Sequence, residues 1–167
     1  THDLTDAYAL ADRLVIYING RCLQAGTPRE VFQAPNTVEV ARFLGTQNIN
    51  EGKITQIDKL NSLTYFHSHS HVFEALNRQN LYAGTRIFWC IRPEQIMILK
   101  KDRPIKESLK ENILEGHITK LIPKGASYLL DFVEKDKSLS LKIALPEHII
   151  GKMKLAVGTE IRVSLKR

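Results

Sequence analysis

The chain has 167 residues, 43% of them hydrophobic, and 24 Lys and Arg against 18 Asp and Glu give it a net charge of +6. That length supplies the core of one ordinary domain or two very small ones. No apolar run approaches the roughly 18 residues of a membrane-spanning helix, and the first residues lack the basic-then-apolar order of a signal peptide.

Asp3 can cap a short helix whose apolar positions Leu4, Ala7, Tyr8, Leu10 and Ala11 share a face, with Asp6 three residues after the cap and an end near Asp12. Residues 13–18 then read as a strand, Asn19-Gly20 as a type I′ turn and residues 21–25 as the returning strand. Thr27-Pro28-Arg29-Glu30 is a helix start with its capping box, and Asn36-Thr37-Val38-Glu39 repeats that logic after Pro35. This last helix carries Val40, Phe43 and Leu44 on one apolar face and stops at Gly45.

The order of these pieces resembles the closing stretch of the nucleotide-binding subunit of an ATP-binding-cassette (ABC) importer. The likeness rests on the turn Thr1-His2-Asp3, the helix that follows, Ala11-Asp12-Arg13, Asn19-Gly20-Arg21 and Gly26-Thr27-Pro28 with Glu30-Val31, and it covers about residues 1–45. It implies that His2 is the switch histidine that hydrogen-bonds the γ-phosphate of ATP in the complete parent. Read alone, His2 is an exposed histidine at a helix start. The sequence contains no GxxxxGK[ST] phosphate loop. It also lacks the acidic Walker strand and the signature segment that hydrolysis requires. The expectation is therefore a C-terminal piece, catalytically inactive and without a cofactor of its own, of a parent ATPase that uses ATP and Mg.

The remaining residues contain a repeat. Glu51-Gly52-Lys53-Ile54-Thr55 matches Glu115-Gly116-His117-Ile118-Thr119 at four of five positions, and Gly84-Thr85-Arg86-Ile87 corresponds to Gly158-Thr159-Glu160-Ile161. Each copy reads as all-β: strands at 53–57, 63–67, 71–76 and 86–91 in the first, and at 113–121, 128–133, 139–144 and 160–165 in the second. So few short strands gain by closing into small barrels that hide their edges, with 146–152 as a single helical turn that plugs one of them. The expected fold is mainly β: two tandem OB-like barrels preceded by a short α+β remnant of a P-loop ATPase domain. Its parts are 1–47, a first barrel at 48–99, a charged linker at 100–112 that includes Lys100-Lys101-Asp102-Arg103, and a second barrel at 113–167.

This tail resembles the C-terminal regulatory region of ABC importer subunits for oligosaccharides, polyamines, sulfate and molybdate, the TOBE module, whose paired form is the di-Mop barrel. The residues that carry this likeness are Phe43-Leu44-Gly45-Thr46-Gln47-Asn48 running into Glu51-Gly52, and Ile91-Arg92-Pro93-Glu94. The resemblance implies a homodimer with a second ATP-binding subunit, membrane permease subunits as partners and a place on the cytoplasmic face of the membrane. The barrels would hold the dimer together while the nucleotide sites open and close, and molybdate, tungstate or another oxyanion would be the cargo.

Several residues are site candidates. Lys124, Gly125 and Ser127, with Thr119 one strand away, form the nearest thing to an oxyanion-binding turn, although a plain strand-joining turn accounts for them as well. His67, His69 and His71 alternate with serines, so one extended strand would set all three imidazoles on one face for adventitious metal binding; no physiological metal site is expected. Arg92 and Glu94 can pair at a strand exit, Phe88 and Trp89 are read as core packing, and Cys22 and Cys90 as buried thiols. The rival function is a free-standing oxyanion-binding or nucleic-acid-binding barrel protein, and the scattered lysines argue against nucleic acid.

Overall fold

A computed structural model describes residues 3–77, 81–99 and 112–166. His2 and the charged stretch 100–111 lie outside them. The chain divides into two units between Gln47 and Asn48.

The first unit runs helix α1 (Leu4–Leu10), strands β1 (Leu14–Ile18) and β2 (Arg21–Gly26), and helices α2 (Pro28–Gln33) and α3 (Val38–Phe43). The Asp3 carboxylate accepts from the amides of Thr5 at 2.8 Å and Asp6 at 3.0 Å, which starts α1. Asn19 and Gly20 both take positive φ, 50° and 75°, the pair of left-handed residues a type I′ hairpin needs. At α2 the box closes from both sides, with the Glu30 amide donating to Thr27 Oγ1 and the Thr27 amide to Glu30 Oε2. Ile16, Val31, Val40 and Leu44 form the unit's core.

Helix α1 rests Leu4 against this core, and Tyr8 lays its ring edge-on against Phe32 at 5.0 Å. One expectation fails here. Phe43 is exposed, because at about 100° per residue it falls outside the arc that buries Val40, Ala41 and Leu44.

The second unit is a duplicated β structure. The first repeat supplies β3 (Asn48–Asp58), β4 (Leu63–Ser68), β5 (His71–Leu76), β6 (Arg86–Ile91) and β7 (Ile96–Leu99). The second supplies β8 (Ile113–Lys124), β9 (Ser127–Glu134), β10 (Ser140–Pro146), helix α4 (Glu147–Met153) and β11 (Glu160–Leu165). The strands form two antiparallel sheets, ordered β5-β4-β3-β6 and β10-β9-β8-β11-β7. Strand β7, not foreseen as a strand, thus leaves its own repeat and pairs with β11 of the other, Leu165 opposite Ile96. One continuous core, from Ile54, Phe66 and Phe73 through Leu130, Phe132 and Ile143, runs across both sheets.

The repeat is reproduced bond for bond. Thr55 and Thr119 each sit at a bulge, and their hydroxyls donate to the carbonyls of Tyr65 at 3.1 Å and Asp131 at 3.2 Å. Ile54 and Ile118 donate to the carbonyls of Thr85 and Thr159, and accept from the amides of Gly84 and Gly158, both at 2.7 Å. The repeated glycine has a steric reason. A Cβ on Gly116 would stand 2.2 Å from the Val133 carbonyl oxygen and 2.7 Å from the Phe132 ring; on Gly52 it would stand 3.1 Å from the Phe66 ring. Each glycine lets the aromatic of the neighbouring strand lie across the backbone.

Strand geometry also corrects three side-chain placements. On β6, Ile87, Trp89 and Ile91 turn inward, so Phe88 and Cys90 are exposed; on β2 a bulge interrupts the alternation, and Cys22 is exposed opposite the exposed Tyr17. Trp89 packs as expected, with ring centroids 5.2 Å from Phe73 and 5.8 Å from Phe66. Arg92 and Glu94 approach to 3.8 Å across Pro93, at a 3₁₀ turn (Pro93–Gln95).

Candidate functional site

The two repeats meet along a seam with reciprocal clasps. Asn48, three residues before the repeated Glu-Gly, donates from Nδ2 to the Lys142 carbonyl at 2.8 Å and accepts from the Lys142 amide at 2.7 Å. Asn112 does the same to Glu74, both contacts at 2.8 Å. Lys142 pairs with Asp131, and Glu74 with Tyr65, the two residues whose carbonyls the bulge threonines bind. The clasps are therefore equivalent: the asparagine of each repeat satisfies the outer edge strand of the other. With these residues included, the motif is Asn48-Ile49-Asn50-Glu51-Gly52-Lys53-Ile54-Thr55 against Asn112-Ile113-Leu114-Glu115-Gly116-His117-Ile118-Thr119, six of eight positions identical. Sequence reasoning began the repeat three residues late and so missed both asparagines.

At one end of the seam is a cluster of ionisable groups. The chain reverses at His69-Ser70, where His69 takes φ 54°, so His67, His69 and His71 do not share one strand. His67 and His69 are exposed, and the His69 Nδ1 lies 3.1 Å from Ser68 Oγ. His71 opens β5 and turns to the second repeat, where its Nε2 hydrogen-bonds Glu134 Oε1. Glu134 is buried at the end of β9, and its other oxygen accepts from Ser138 Oγ at 2.9 Å. Asp136, in the β9–β10 turn, accepts from the Ser138 amide at 2.8 Å and from Ser70 Oγ at 2.7 Å. These donors, the Ser138 amide first, hold the Asp136 carboxyl well below the usual carboxylate range. The donor atoms of His71, Glu134 and Asp136 all lie within 4.8 Å of one another.

Of the oxyanion-turn candidates, Lys124, Gly125 and Ser127 share one turn and Thr119 lies apart from them. Lys124 pairs with Ser127 across a two-residue turn in which Gly125 has φ 61°, and Ser127 Oγ donates back to the Lys124 carbonyl at 3.0 Å. Thr119 is five residues up β8, about 16 Å away along a strand, with its hydroxyl committed to Asp131. A shallow cleft of about 250 Å³ lies elsewhere, lined by Glu115, Gly116, Lys135, Glu160, Ile161 and Arg162. Its charges offset, and Lys135 Nζ donates to Glu115 at 3.0 Å, which lowers the pKa of that carboxyl and raises that of the lysine. Such a surface has no strong preference for an anion.

A duplicated, mainly β unit of this kind defines an OB-like, Mop-type fold. In the solved structure of the cytoplasmic molybdate-binding protein ModG with molybdate bound, the likeness has a TM-score of 0.63 and covers 72% of this chain and 91% of that one, at 10% identity. No family model matches the chain. Over 167 residues, 99% of this chain, it is 30% identical to the spermidine/putrescine import ATP-binding protein PotA of Borreliella afzelii. Over 111 residues, 66% of this chain, it is 39% identical to the molybdate/tungstate import ATP-binding protein WtpC of Thermococcus kodakarensis. The chain is thus a relative of the ATP-binding subunits of ABC importers along its whole length. It spans 41% of the first relative and 29% of the second. No helix among the described residues is long and apolar enough to cross a membrane.

Proposed function

We propose that the chain is the C-terminal portion of the ATP-binding subunit of an ABC importer, with the second unit acting as its regulatory and dimerisation domain. The observation that carries this reading is the likeness to the Borreliella relative across 99% of this chain and only 41% of that protein, which leaves room for a complete phosphate-binding core. In the whole protein ATP and Mg would be bound by segments outside these 167 residues, and His2 would contact the γ-phosphate. The subunit would work as a homodimer on the cytoplasmic face of a permease. Its β units would hold the pair together while the nucleotide sites cycle, and a ligand bound there would act by preferring one state of that cycle over the other. In this arrangement the described unit contributes rigidity: the clasps and the shared core couple its two repeats, so a displacement of one carries the other.

Two cargo classes have separate support. The 39% identity to a molybdate/tungstate importer subunit and the fold of a molybdate-binding protein favour an oxyanion. The whole-chain match to a spermidine/putrescine importer subunit favours a polyamine. Uptake of labelled molybdate and of labelled putrescine by cells with the gene disrupted separates them, since only the true cargo loses its energy-dependent uptake. The coding DNA ahead of Thr1 tests the larger reading. A Walker lysine, a leucine-serine-glycine-glycine segment and an acidic Walker strand in frame are expected; a start codon at that point would leave a free-standing binding protein as the better account.

A further inference from the structure

We propose that His71, Glu134 and Asp136 form a binding site for a divalent transition-metal ion, of the zinc, nickel or cobalt class, that links the two repeats. The duplication supplies a built-in control. Lys53 pairs with His67 in the first repeat and His117 with Val133 in the second, so Ser68, the residue after His67, is the counterpart of Glu134, the residue after Val133. His71, paired with Ser68, has Leu139 as its counterpart, since Leu139 accepts from the Glu134 amide. The fold therefore accommodates a serine and a buried leucine at the equivalent place, and the histidine and carboxylate are not demanded by packing.

The donor set is selective. One imidazole nitrogen and two carboxylate oxygens suit borderline divalent ions, whereas magnesium and calcium favour oxygen-only shells. The ligands come from β5, the end of β9 and the turn that follows it, so they approach from different directions. Glu134 is buried and Asp136 exposed, which leaves an open side for water as further ligand. Ser138 donates to both carboxylates and Ser70 to Asp136, the outer hydrogen bonds that orient ligating oxygens. Oε1 of Glu134 and Nε2 of His71 already face each other, and a bound cation would replace the proton between them.

The site goes beyond the transport reading and does not depend on it. Calorimetric titration of the EDTA-treated 167-residue chain with zinc, nickel and magnesium chlorides tests it, with cobalt absorption as a direct report of ligand geometry. The expected result is one zinc or nickel ion per chain, no response to magnesium and a rise in unfolding temperature with zinc. His71→Ala and Asp136→Asn should each weaken binding by about tenfold or more, and Ser138→Ala by roughly tenfold. Asp136 is exposed, so its variant tests the site without disturbing the core. His67→Ala and His69→Ala should leave affinity unchanged. No saturable binding, binding indifferent to Asp136→Asn, or binding lost with His67→Ala or His69→Ala would overturn the proposal, the last by showing adventitious capture on exposed histidines.

Discussion

The two repeats of the β unit share their bulge threonines, their asparagine clasps and their glycine-over-aromatic contacts, yet they differ in the turns that join their first three strands. The first joins its opening strands through a turn organised by Asp58, the second through a tight Gly125-Ala126 turn. The first reverses at His69-Ser70, while the second takes a longer path through Asp136 and Ser138. What is repeated is what the shared core and the edge strands require. What differs is the turns and the strand ends beside them, and the ionisable cluster is built from those differing parts.

The largest expected departure from equivalence is steric. Gly116→Ala places a methyl group against a backbone carbonyl that cannot swing aside, and overpacking of this kind costs about 3 kcal/mol. Gly52→Ala meets the Phe66 ring at 3.1 Å and the His67 carbonyl oxygen at 3.2 Å, which asks for a shift of only a few tenths of an ångström, and should cost about 1 kcal/mol. Urea unfolding followed by the fluorescence of Trp89, the chain's one tryptophan, compares them. Equal losses would mean that the two aromatic contacts are equally tight in solution.

The clasps come next. Asn48→Ala removes two hydrogen bonds at a buried site and should cost about 2 kcal/mol; Asn112→Ala, at a half-buried site, about 1 kcal/mol. Each clasp joins opposite repeats, so either variant should lower the unfolding transition of the β unit that Trp89 reports without splitting it. Two resolved transitions would show that the repeats fold separately.

How much of this was legible beforehand follows from the range of each interaction. The Asn19-Gly20 hairpin, the Thr27 capping box and the repeated Glu-Gly-x-Ile-Thr motif are local patterns, and they stand where the residues place them. Strand β7 was missed because Ile96–Leu99 is short, and its pairing with β11 is a contact across more than sixty residues that no local pattern encodes. The apolar surroundings of Phe43, Phe88, Cys22 and Cys90 suggest burial, whereas helix angle for Phe43, strand alternation for Phe88 and Cys90, and a bulge beside Cys22 turn them outward. Among the candidate histidines, His71 alone of the three joins the ionisable cluster, because its partners Glu134 and Asp136 come from the other repeat. Asn48 and Asn112 had a readable signal, since both lie three residues before the repeated Glu-Gly.

A third comparison concerns the bulges. Thr55→Val and Thr119→Val each remove one exposed hydroxyl-to-carbonyl bond of nearly the same length and should cost about 0.5 kcal/mol, the same in both repeats. A clear inequality would show that the bulges carry different strain.

The smallest effect distinguishes the connections through pH. Asp58 accepts from the amides of Leu60 and Asn61 and, at 2.7 Å, from the Asn61 side chain, and these bonds, the last foremost, lower its pKa from the ordinary 3.8. A folded-state value below the unfolded one means that the stabilising increment is complete above pH 3.8 and fades as the pH falls through the folded value. Asp58→Asn should therefore be slightly less stable than the native chain at neutral pH and converge with it in acid. The Gly125-Ala126 turn contains no carboxylate, and Ala126→Ser should leave a pH-independent difference. If Asp58→Asn and the native chain instead keep a constant gap into acid, the turn is held by its backbone conformation, and the first connection is no more electrostatic than the second.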